Sequence, residues 1–283
     1  MGSEAWQHAY DAADAAGVTL RPLEDLEDAD RILDVMIDTW GEHQLLPREL
    51  IRALQHSGNA PYGAFAAGEL RGYVLGFLAR DADGPHVHSH MLAVRPGGRS
   101  KGVGYALKLA QRAQALDAGV SVVRWTYDPL LARNAHFNLG KLRAYADGFE
   151  RDFYGEMDDQ LNRGDRSDRF SVRWDLDGTS SPGRLVNGSS LPVLRRSGDD
   201  PPHPERIADP HVDAHQAGAI IGIPEDYPAI RQADPGLARA WRDAVADAFE
   251  ACFTAGMVGG EFERFSCSYY FAAVPGFRPR SSG

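Results

Sequence analysis

Apolar residues recur along the chain with two different spacings, and each spacing predicts its own kind of element. Residues 25–40, 47–54 and 103–116 place apolar side chains on one helical face. Period-two or β-branched and aromatic runs predict strands at 18–23, 62–67, 73–79, 86–94, 121–127 and 169–176. A Gly-containing turn at 68–72 is expected between the second and third strands, and a short helix at 133–142 after the fifth. Strands and helices mixed in this order predict an α/β (α+β) fold.

The composition changes after residue 176. Residues 177–205 are rich in Gly, Ser, Pro and Asp, which predicts a linker or mobile loop. Ordered patterns return with a strand at 219–223, a helix that begins at Asp234-Pro235, and one or two strands within 262–274. We therefore divide the chain into an N-terminal segment (1–17, with a short helix at 11–16 and a disordered start at 1–3), a core (18–176), the linker (177–205) and a C-terminal α/β extension (206–283).

Composition and charge exclude some classes of binding partner. The 283 residues are 43% hydrophobic and carry a formal net charge of −10. Nucleic acid and anionic membranes both require a basic surface, so neither is an expected partner. No apolar run approaches the roughly 20 residues of a membrane span, and the polar first thirty residues are unlike a secretory signal. Cys252 and Cys267 are too few for a disulfide framework or a cysteine-based metal site. We expect a cytoplasmic protein.

The strand that ends at Val94 runs through a glycine-rich, basic loop into a helix. In this loop Arg99, Gly102 and Gly104 form the pattern Arg-x-x-Gly-x-Gly. A helix start leaves backbone N–H groups unpaired, and glycines there lack the Cβ atoms that would keep a phosphate away from them. The alternative is that the two glycines only permit a tight turn from strand to helix.

This pattern resembles motif A of the GNAT superfamily of acyl-CoA-dependent N-acyltransferases, [Arg/Gln]-x-x-Gly-x-[Gly/Ala]. The resemblance implies a GNAT fold over about 18–176, which is a central mixed, twisted sheet flanked by helices. Shorter stretches, such as 89–92, 105–112, 133–139, 154–157 and 162–170, look like a bacterial GNAT subfamily with a long C-terminal extension. Some of its members are associated with N-succinylation of amino acids, which implies an amino-acid-like acceptor.

The resemblance also implies a co-substrate, acyl-CoA with an acetyl or succinyl group, and no metal. The CoA diphosphate would lie on the loop and first helical turn, at Arg99, Lys101, Gly102, Val103, Gly104 and Tyr105. The backbone of Leu92 and Val94 would pair with the pantetheine arm, and one of their amides would stabilise the reacting oxyanion. Asn134 matches a CoA-contacting position of the family, or it is simply a residue of the helix start.

Transfer to an amine needs a group that accepts a proton. His86, His88 and His90 alternate, and period two would place all three on one face of their strand. Some GNAT enzymes carry a similar His-x-His pair that removes a proton, so we expect His90, and after it His88, to be the base. The alternative is that these histidines are only structural. A metal site built from all three is rejected, because the first and last are about 13 Å apart along a strand.

Two further roles have only partial candidates. Lys141 stands where the family places the Tyr that protonates the leaving thiolate, so Tyr145, Tyr154 or a water molecule would take that role. Either Tyr could instead be a core residue. Arg133 or Arg169 could bind an acceptor carboxylate through two hydrogen bonds. Asp168 and Arg169 could instead form an ion pair that holds their loop.

We therefore expect direct acyl transfer, in a ternary complex, from acyl-CoA to the primary amine of a small molecule such as an amino acid. A polyamine, an aminoglycoside-like compound or a protein lysine is an alternative acceptor, and net acidity favours the polyamine. A non-catalytic CoA-binding scaffold is the alternative of a different class, suggested by Lys141. The C-terminal extension would close over the acceptor or form a homodimer contact, and the sequence does not choose between these.

Overall fold

The computed structural model describes residues 2–42, 45–96, 102–157, 163–178, 190–208 and 218–274. By its internal contacts the chain divides into two compact units. The first consists of Met1–Trp125 with Asp158–Arg163 and Asp175–Asp177, and the second of Thr126–Met157, Gly164–Trp174 and Gly178–Gly283. Strand β5 begins in the first unit and ends in the second.

The first unit is a sheet with helices on both faces. Its elements are α1 (Gly2–Ala16), β1 (Thr19–Pro22), α2 (Leu26–Trp40), α3 (Arg48–His56), β2 (Tyr62–Ala66), β3 (Glu69–Asp81), β4 (Gly84–Val94), α4 (Val103–Asp117) and β5 (Val122–Tyr127). Strands β1 to β4 pair antiparallel in chain order, and β5 pairs parallel to β4. A mixed sheet results, as expected.

Alternation along β3 separates two cores. Tyr73 and Leu75 face the core that includes α2 and α3, whereas Val74 faces the core that includes α1 and α4. Helix α1 packs on α4, and Ala5, Ala9 and Ala13 of α1 and the alanines of α4 are buried, which lets the two backbones lie close. The Trp6 indole N–H donates to Asp117 over 2.6 Å and fixes the far end of this contact.

The second unit contains α5 (Ala132–Ala135) with a following π-helix (His136–Lys141), β6 (Tyr145–Glu150), β7 (Arg169–Asp175, its last residue in the first unit), β8 (Leu191–Arg196), β9 (Pro204–Arg206), β10 (Ala219–Gly222), α6 (Tyr227–Ala233), α7 (Pro235–Thr254), β11 (Met257–Glu263) and β12 (Ser268–Ala273). The strand order is β7-β6-β11-β12-β10-β8-β9, and only β8 and β10 pair parallel in it.

An aromatic core joins α7 to this sheet. Phe249 of α7 lies 4.5 Å from Phe170 and 5.4 Å from Tyr269, measured between ring centres, with the rings edge to face. Edge-to-face contacts of this kind stabilise a core beyond the area that they bury. Asp234 caps α7 by accepting from the Leu237 amide, as its Asp-Pro start predicts.

Most predicted elements are confirmed, three expectations are wrong, and some elements were not predicted. The turn between β2 and β3 is at Ala67-Gly68, and β3 already begins at Glu69. Helix α1 begins at Gly2, where a disordered start and a short helix at 11–16 were expected. The stretch 177–205 contains β8 and the start of β9, because its Gly- and Pro-rich average conceals one short apolar run. Strand β6 has no counterpart in the predictions, because five of its six residues are buried and no alternation results.

Candidate active site

Strand β4 separates from β5 near its middle. The parallel pairing joins Val87 to Val123 and His88 to Arg124, whereas β4 continues to Val94. The antiparallel register with β3 shifts at the same place, from Leu75–Met91 to Gly76–Ser89, which leaves His90 as the extra residue of a β-bulge. The strand therefore opens away from β5 where two of the three histidines lie.

His88 and His90 share one side of β4. Their ring centres are 6.1 Å apart, and the Phe77 ring lies 5.2 Å from His88 and 6.3 Å from His90. Burial, together with the nearby His90, His86 and Lys108, lowers the pKa of His88 to about 4. Partial removal from water lowers the pKa of His90, whose ring is exposed. Both histidines are thus neutral at pH 7, and His90 is the one that solvent or an acceptor can reach.

His86 differs from the other two. It is buried, and its Nδ1 atom lies 3.6 Å from the carboxylate of Asp81. The same carboxylate lies 3.6 Å from the guanidinium of Arg124, which also donates to Asp83 over 2.7 Å. His86 therefore belongs to a charged cluster at the start of β4.

Helix α4 begins at a backbone turn that only glycine adopts readily. Gly102, its N-cap, has a φ of +88°, in the left-handed region, and it has no side chain that could cap the first amides. The first turn of α4 also contains no acidic residue. A Cβ atom at position 102 would lie 3.6 Å from Ala16, so space is not what requires glycine here. The positive end of the helix dipole can accept a phosphate group at this point.

The other predicted CoA-binding residues differ in how far they are buried. Val103 is a buried core residue, whereas Gly104 and Tyr105 are half-buried on the first turn. The side chains of Leu92 and Val94 pack towards the core of α1 and α4, so only their backbones can pair with a ligand, as the resemblance implies. Arg99 and Lys101 lie outside the described residues.

A buried lysine that was not predicted from the sequence contacts β4 next to the residue where β4 separates from β5. Lys108 on α4 is 2% exposed. Its ammonium donates to Ser89 Oγ over 2.9 Å and to Gln111 Oε1 over 2.8 Å, and it stands 4.0 Å from the centre of the Trp125 ring. Burial lowers its pKa to about 7. The polar residues at 108 and 111 lie three positions apart on one face of the helix, and this spacing was the only sign of the contact in the sequence.

The remaining candidates lie in the second unit. Arg133 is exposed and Asn134 is half-buried at the start of α5. Tyr145 is 3% exposed in β6, whereas Tyr154 is 46% exposed and its hydroxyl lies 3.2 Å from the Thr126 hydroxyl. Of the two tyrosines, only Tyr154 has a side chain that solvent reaches.

Asp168 and Arg169 do not pair with each other through their side chains. The buried carboxylate of Asp168 accepts from Arg166 over 2.6 and 2.9 Å and from the Asp152 amide over 3.1 Å. Arg169 is buried, donates to the Asp168 carbonyl over 2.9 Å, and lies 5.4 Å from the Tyr154 ring centre. The expected Asp-Arg pair exists, but its arginine is Arg166. Both Asp168 and Arg169 are held within the fold.

The described residues contain neither a candidate metal-binding group nor a membrane-spanning helix. Within these residues, no group of three or more His, Cys, Asp and Glu side chains could hold a metal ion. Likewise, none of the helices in the described segments is long and apolar enough to pass through a bilayer.

Residues 23–138 match the model of the acetyltransferase (GNAT) family. This segment, which contains α2 to α5, matches the GNAT family, and the match supports a transferase enzyme of the GNAT N-acyltransferase type. The match covers less than half of the chain and ends before β6.

Solved structures with a similar fold are distant in sequence. The chain resembles yncA from Salmonella typhimurium, solved with its cofactor acetyl-CoA, at 16% identity over 59% of this chain and 99% of that one (TM-score 0.47). It resembles the diaminobutyrate acetyltransferase EctA from Paenibacillus lautus at 18% over 56% and 95% (TM-score 0.44). An N-acetyltransferase from Staphylococcus aureus is similar at 17% over 56% and 98% (TM-score 0.45). No curated protein matches the chain.

Proposed function

We propose that this protein transfers an acetyl or succinyl group from acyl-CoA to the primary amine of a small molecule, directly and within a ternary complex. The observation that carries the proposal is the course of β4. This strand leaves β5 after His88, bulges at His90, and leads towards the left-handed Gly102 at the start of α4. In this proposal the proton acceptor and the anion-binding helix start belong to consecutive elements, β4 and α4, of one unit.

In this proposal the amides at the start of α4 bind the CoA diphosphate. Gly102 permits the approach, and the absence of acidic residues from the first turn of α4 avoids repulsion. The backbone of β4 from Ser89 to Val94 binds the pantetheine arm on the side from which β5 has departed. One amide of this segment donates to the thioester oxygen as negative charge develops there.

His90 then accepts the proton of the attacking amine, directly or through water. Its lowered pKa keeps it neutral at pH 7, and its exposure lets an acceptor approach. The amine nitrogen forms a bond to the acyl carbon, the carbon–sulfur bond breaks, and the thiolate takes a proton from Tyr154 or from water. Tyr154 is favoured over Tyr145 for this step because Tyr145 is buried.

An amino-acid-like acceptor needs a cation for its carboxylate. Arg133 is the better candidate because it is exposed, whereas Arg169 is buried and bonded to the Asp168 carbonyl. Acetyl and succinyl donors both agree with the resemblance described above. We place the enzyme in the cytoplasm, where acyl-CoA is produced.

The test is thiol release from acetyl-CoA and from succinyl-CoA across a panel of amines, with CoA affinity measured by calorimetry. The panel contains amino acids, a polyamine, an aminoglycoside and a lysine peptide. Turnover with amino acids supports the proposal. Turnover with only the polyamine or only the peptide would show that the acceptor belongs to that class instead. Normal CoA binding without any turnover would favour the scaffold alternative.

A further inference from the structure

The buried Lys108 has no role in the chemistry described above. It contacts Ser89 of β4, Gln111 of α4 and Trp125 of β5, and these four residues are called the Lys108 cluster below. All four are buried and belong to the first unit. A cation this deep in a fold loses its hydration, and an apolar side chain of similar volume is often neutral or stabilising in its place. Packing alone therefore does not explain a lysine here.

The choice of lysine is itself unusual for this chain. Only three of the 30 Lys and Arg residues are lysines, at 101, 108 and 141. Arginine stays charged in proteins, whereas a buried lysine can lose its proton, so lysine is the cation that tolerates this position. The lowered pKa of Lys108, to about 7, agrees with that reasoning.

The cluster meets β4 at the bulge. Ser89, the strand residue that Lys108 contacts, lies between His88 and His90 and opposite Gly76 of β3. A Cβ atom at position 76 would lie 2.7 Å from Gln111 Nε2 and 2.9 Å from the His88 carbonyl oxygen. Glycine at 76 therefore leaves the room that lets Gln111 lie against the strand and accept from Lys108.

The cluster also meets β5 where the two strands separate. Trp125 directly follows Arg124, which is the last β5 residue paired with β4. An ammonium 4.0 Å from the centre of an indole ring is within cation–π distance. Lys108 thus contacts both strands at the place where their pairing ends.

We propose that Lys108 is a positioning residue for acyl transfer. By binding Ser89 and Trp125 from under the sheet, it holds the bulge that presents His90 and maintains the opening between β4 and β5. It does not touch substrate in this role. The inference rests on the proposed function, which assigns proton transfer to His90 and pantetheine binding to the opening.

The test uses three variants of the full chain. Lys108→Met shortens the unbranched side chain by one atom and removes its charge and donors, and Ser89→Ala removes only the contact with the strand. Gln114→Met is the matched control, because Gln114 lies on the same helix and donates to the Ala60 carbonyl over 3.1 Å, away from the cluster. The readouts are NMR titration of the His88 and His90 rings, kcat and KM for acyl-CoA, and thermal unfolding.

The expected results distinguish the effect of Lys108 on the position of the histidine rings from the effect of its charge. Lys108→Met and Ser89→Ala both move the ring resonances of His88 and His90 and lower kcat/KM by about 10- to 100-fold, while Gln114→Met does neither. The positive groups that act on His88 are His86 and His90 on β4 and Lys108 on α4. The pKa of His88 therefore rises in Lys108→Met, which loses one of these charges, and stays in place in Ser89→Ala.

Unfolding shows whether lost activity reflects lost structure. Lys108→Met is expected to be as stable as the wild type or more stable, because it removes a buried charge. Ring resonances of both histidines identical to wild type in Lys108→Met would overturn the proposal, as would unchanged kcat/KM. If Lys108→Met does not fold, Ser89→Ala decides by the same criteria. If the wild type turns over no substrate, the proposed function fails, and the NMR readout alone decides the role of Lys108.

Discussion

The guanidinium of Arg242 forms two parallel hydrogen bonds with the carboxylate of Asp128, of 2.7 Å from Nη1 to Oδ1 and 2.9 Å from Nη2 to Oδ2. Arg242 lies on α7, and Asp128 directly follows β5, so the pair ties the C-terminal helix to the chain that leads into α5. Asp165 also accepts from Arg242, and the Tyr227 ring lies 4.9 Å away. Although burial opposes the charged form, Asp128 and Asp165 raise the pKa of Arg242 above its ordinary value.

Replacing Arg242 by Met should strongly destabilise the protein. The change removes the nearest cation from two largely buried carboxylates and leaves them only the longer contacts with Arg169 and Arg231, which costs about 3–5 kcal/mol. Urea unfolding measures the loss, and Arg239→Met, an exposed arginine on the same helix, should stay within about 0.5 kcal/mol of wild type. Combining Arg242→Met with Asp128→Asn should cost less than the sum of the two single changes. Strict additivity would contradict the contact.

Gly102→Ala should weaken acyl-CoA binding as well as stability. Alanine at a φ of +88° is strained by about 1–2 kcal/mol, although the nearest atom to its Cβ would be 3.6 Å away. Gly119→Ala is a matched control at the other end of α4, with a φ of +72° and nothing within 4 Å. Both variants should lose similar stability in thermal unfolding, whereas only Gly102→Ala should raise the KM for acyl-CoA. Equal KM values for the two would refute a diphosphate site at Gly102.

His90→Ala should lower kcat/KM by about 10²- to 10⁴-fold, the usual contribution of a general base. His88→Ala should cost less, because a group with a pKa of about 4 is a weak base at pH 7. In the wild type, activity should fall as the pH drops through the lowered pKa of His90, because the protonated ring cannot accept a proton. This acid limb, recorded as kcat/KM against pH, should be absent from the residual activity of His90→Ala. Full activity of that variant would exclude His90 as the base.

His88 should make the protein less stable in acid. Its pKa is about 4 when folded against an ordinary 6.5, so between these values the unfolded chain binds a proton that the folded chain does not. Stability should therefore decrease as the pH falls from 6.5 and level off below 4, with a total loss of about 1–2 kcal/mol once solvent screening of this partly exposed ring is taken into account. Urea unfolding of His88→Phe across this range should show a flatter dependence, whereas a change of His8, exposed on α1, should not alter it. An unchanged slope in His88→Phe would show that other groups cause the acid sensitivity.

Sequence patterns predicted the elements whose apolar spacing is regular. Helix α2 and strand β4 lie within two residues of their predicted bounds. Helix α2 buries one face and leaves the other in water, and the residues of β4 alternate in the sequence up to Val94. Strand β6, buried on both faces, and β8, short and within a Gly-rich stretch, lack such a pattern. The alternation of the histidines did predict that His88 and His90 share a side, but it could not predict the bulge at His90.

The sequence predicted only those parts of the candidate site that depend on residues close together in the chain. The order Arg99, Gly102, Gly104 after a strand identified the helix start, because a left-handed glycine and unpaired amides depend on adjacent residues. Ser89 and Trp125, which contact Lys108, and Asp128, which pairs with Arg242, lie on other elements than the cation, and neither group was recognised. The sequence also offered Arg169, the neighbour of Asp168, as an ion-pair partner, whereas the fold gives Asp168 the guanidinium of Arg166, two residues away.

By itself the sequence determined the likeness of residues 23–138 to the GNAT family, the mixed order of helices and strands, and the residues at the start of α4, since each follows from patterns of neighbouring residues. Only the tertiary structure decided where β4 leaves β5, which cations are buried, and which carboxylates neutralise them. Those outcomes depend on the burial of groups separated by as many as 114 residues, as in Arg242 and Asp128. Burial of a charge is decided when the elements pack, because only then does water leave it and a partner replace that water.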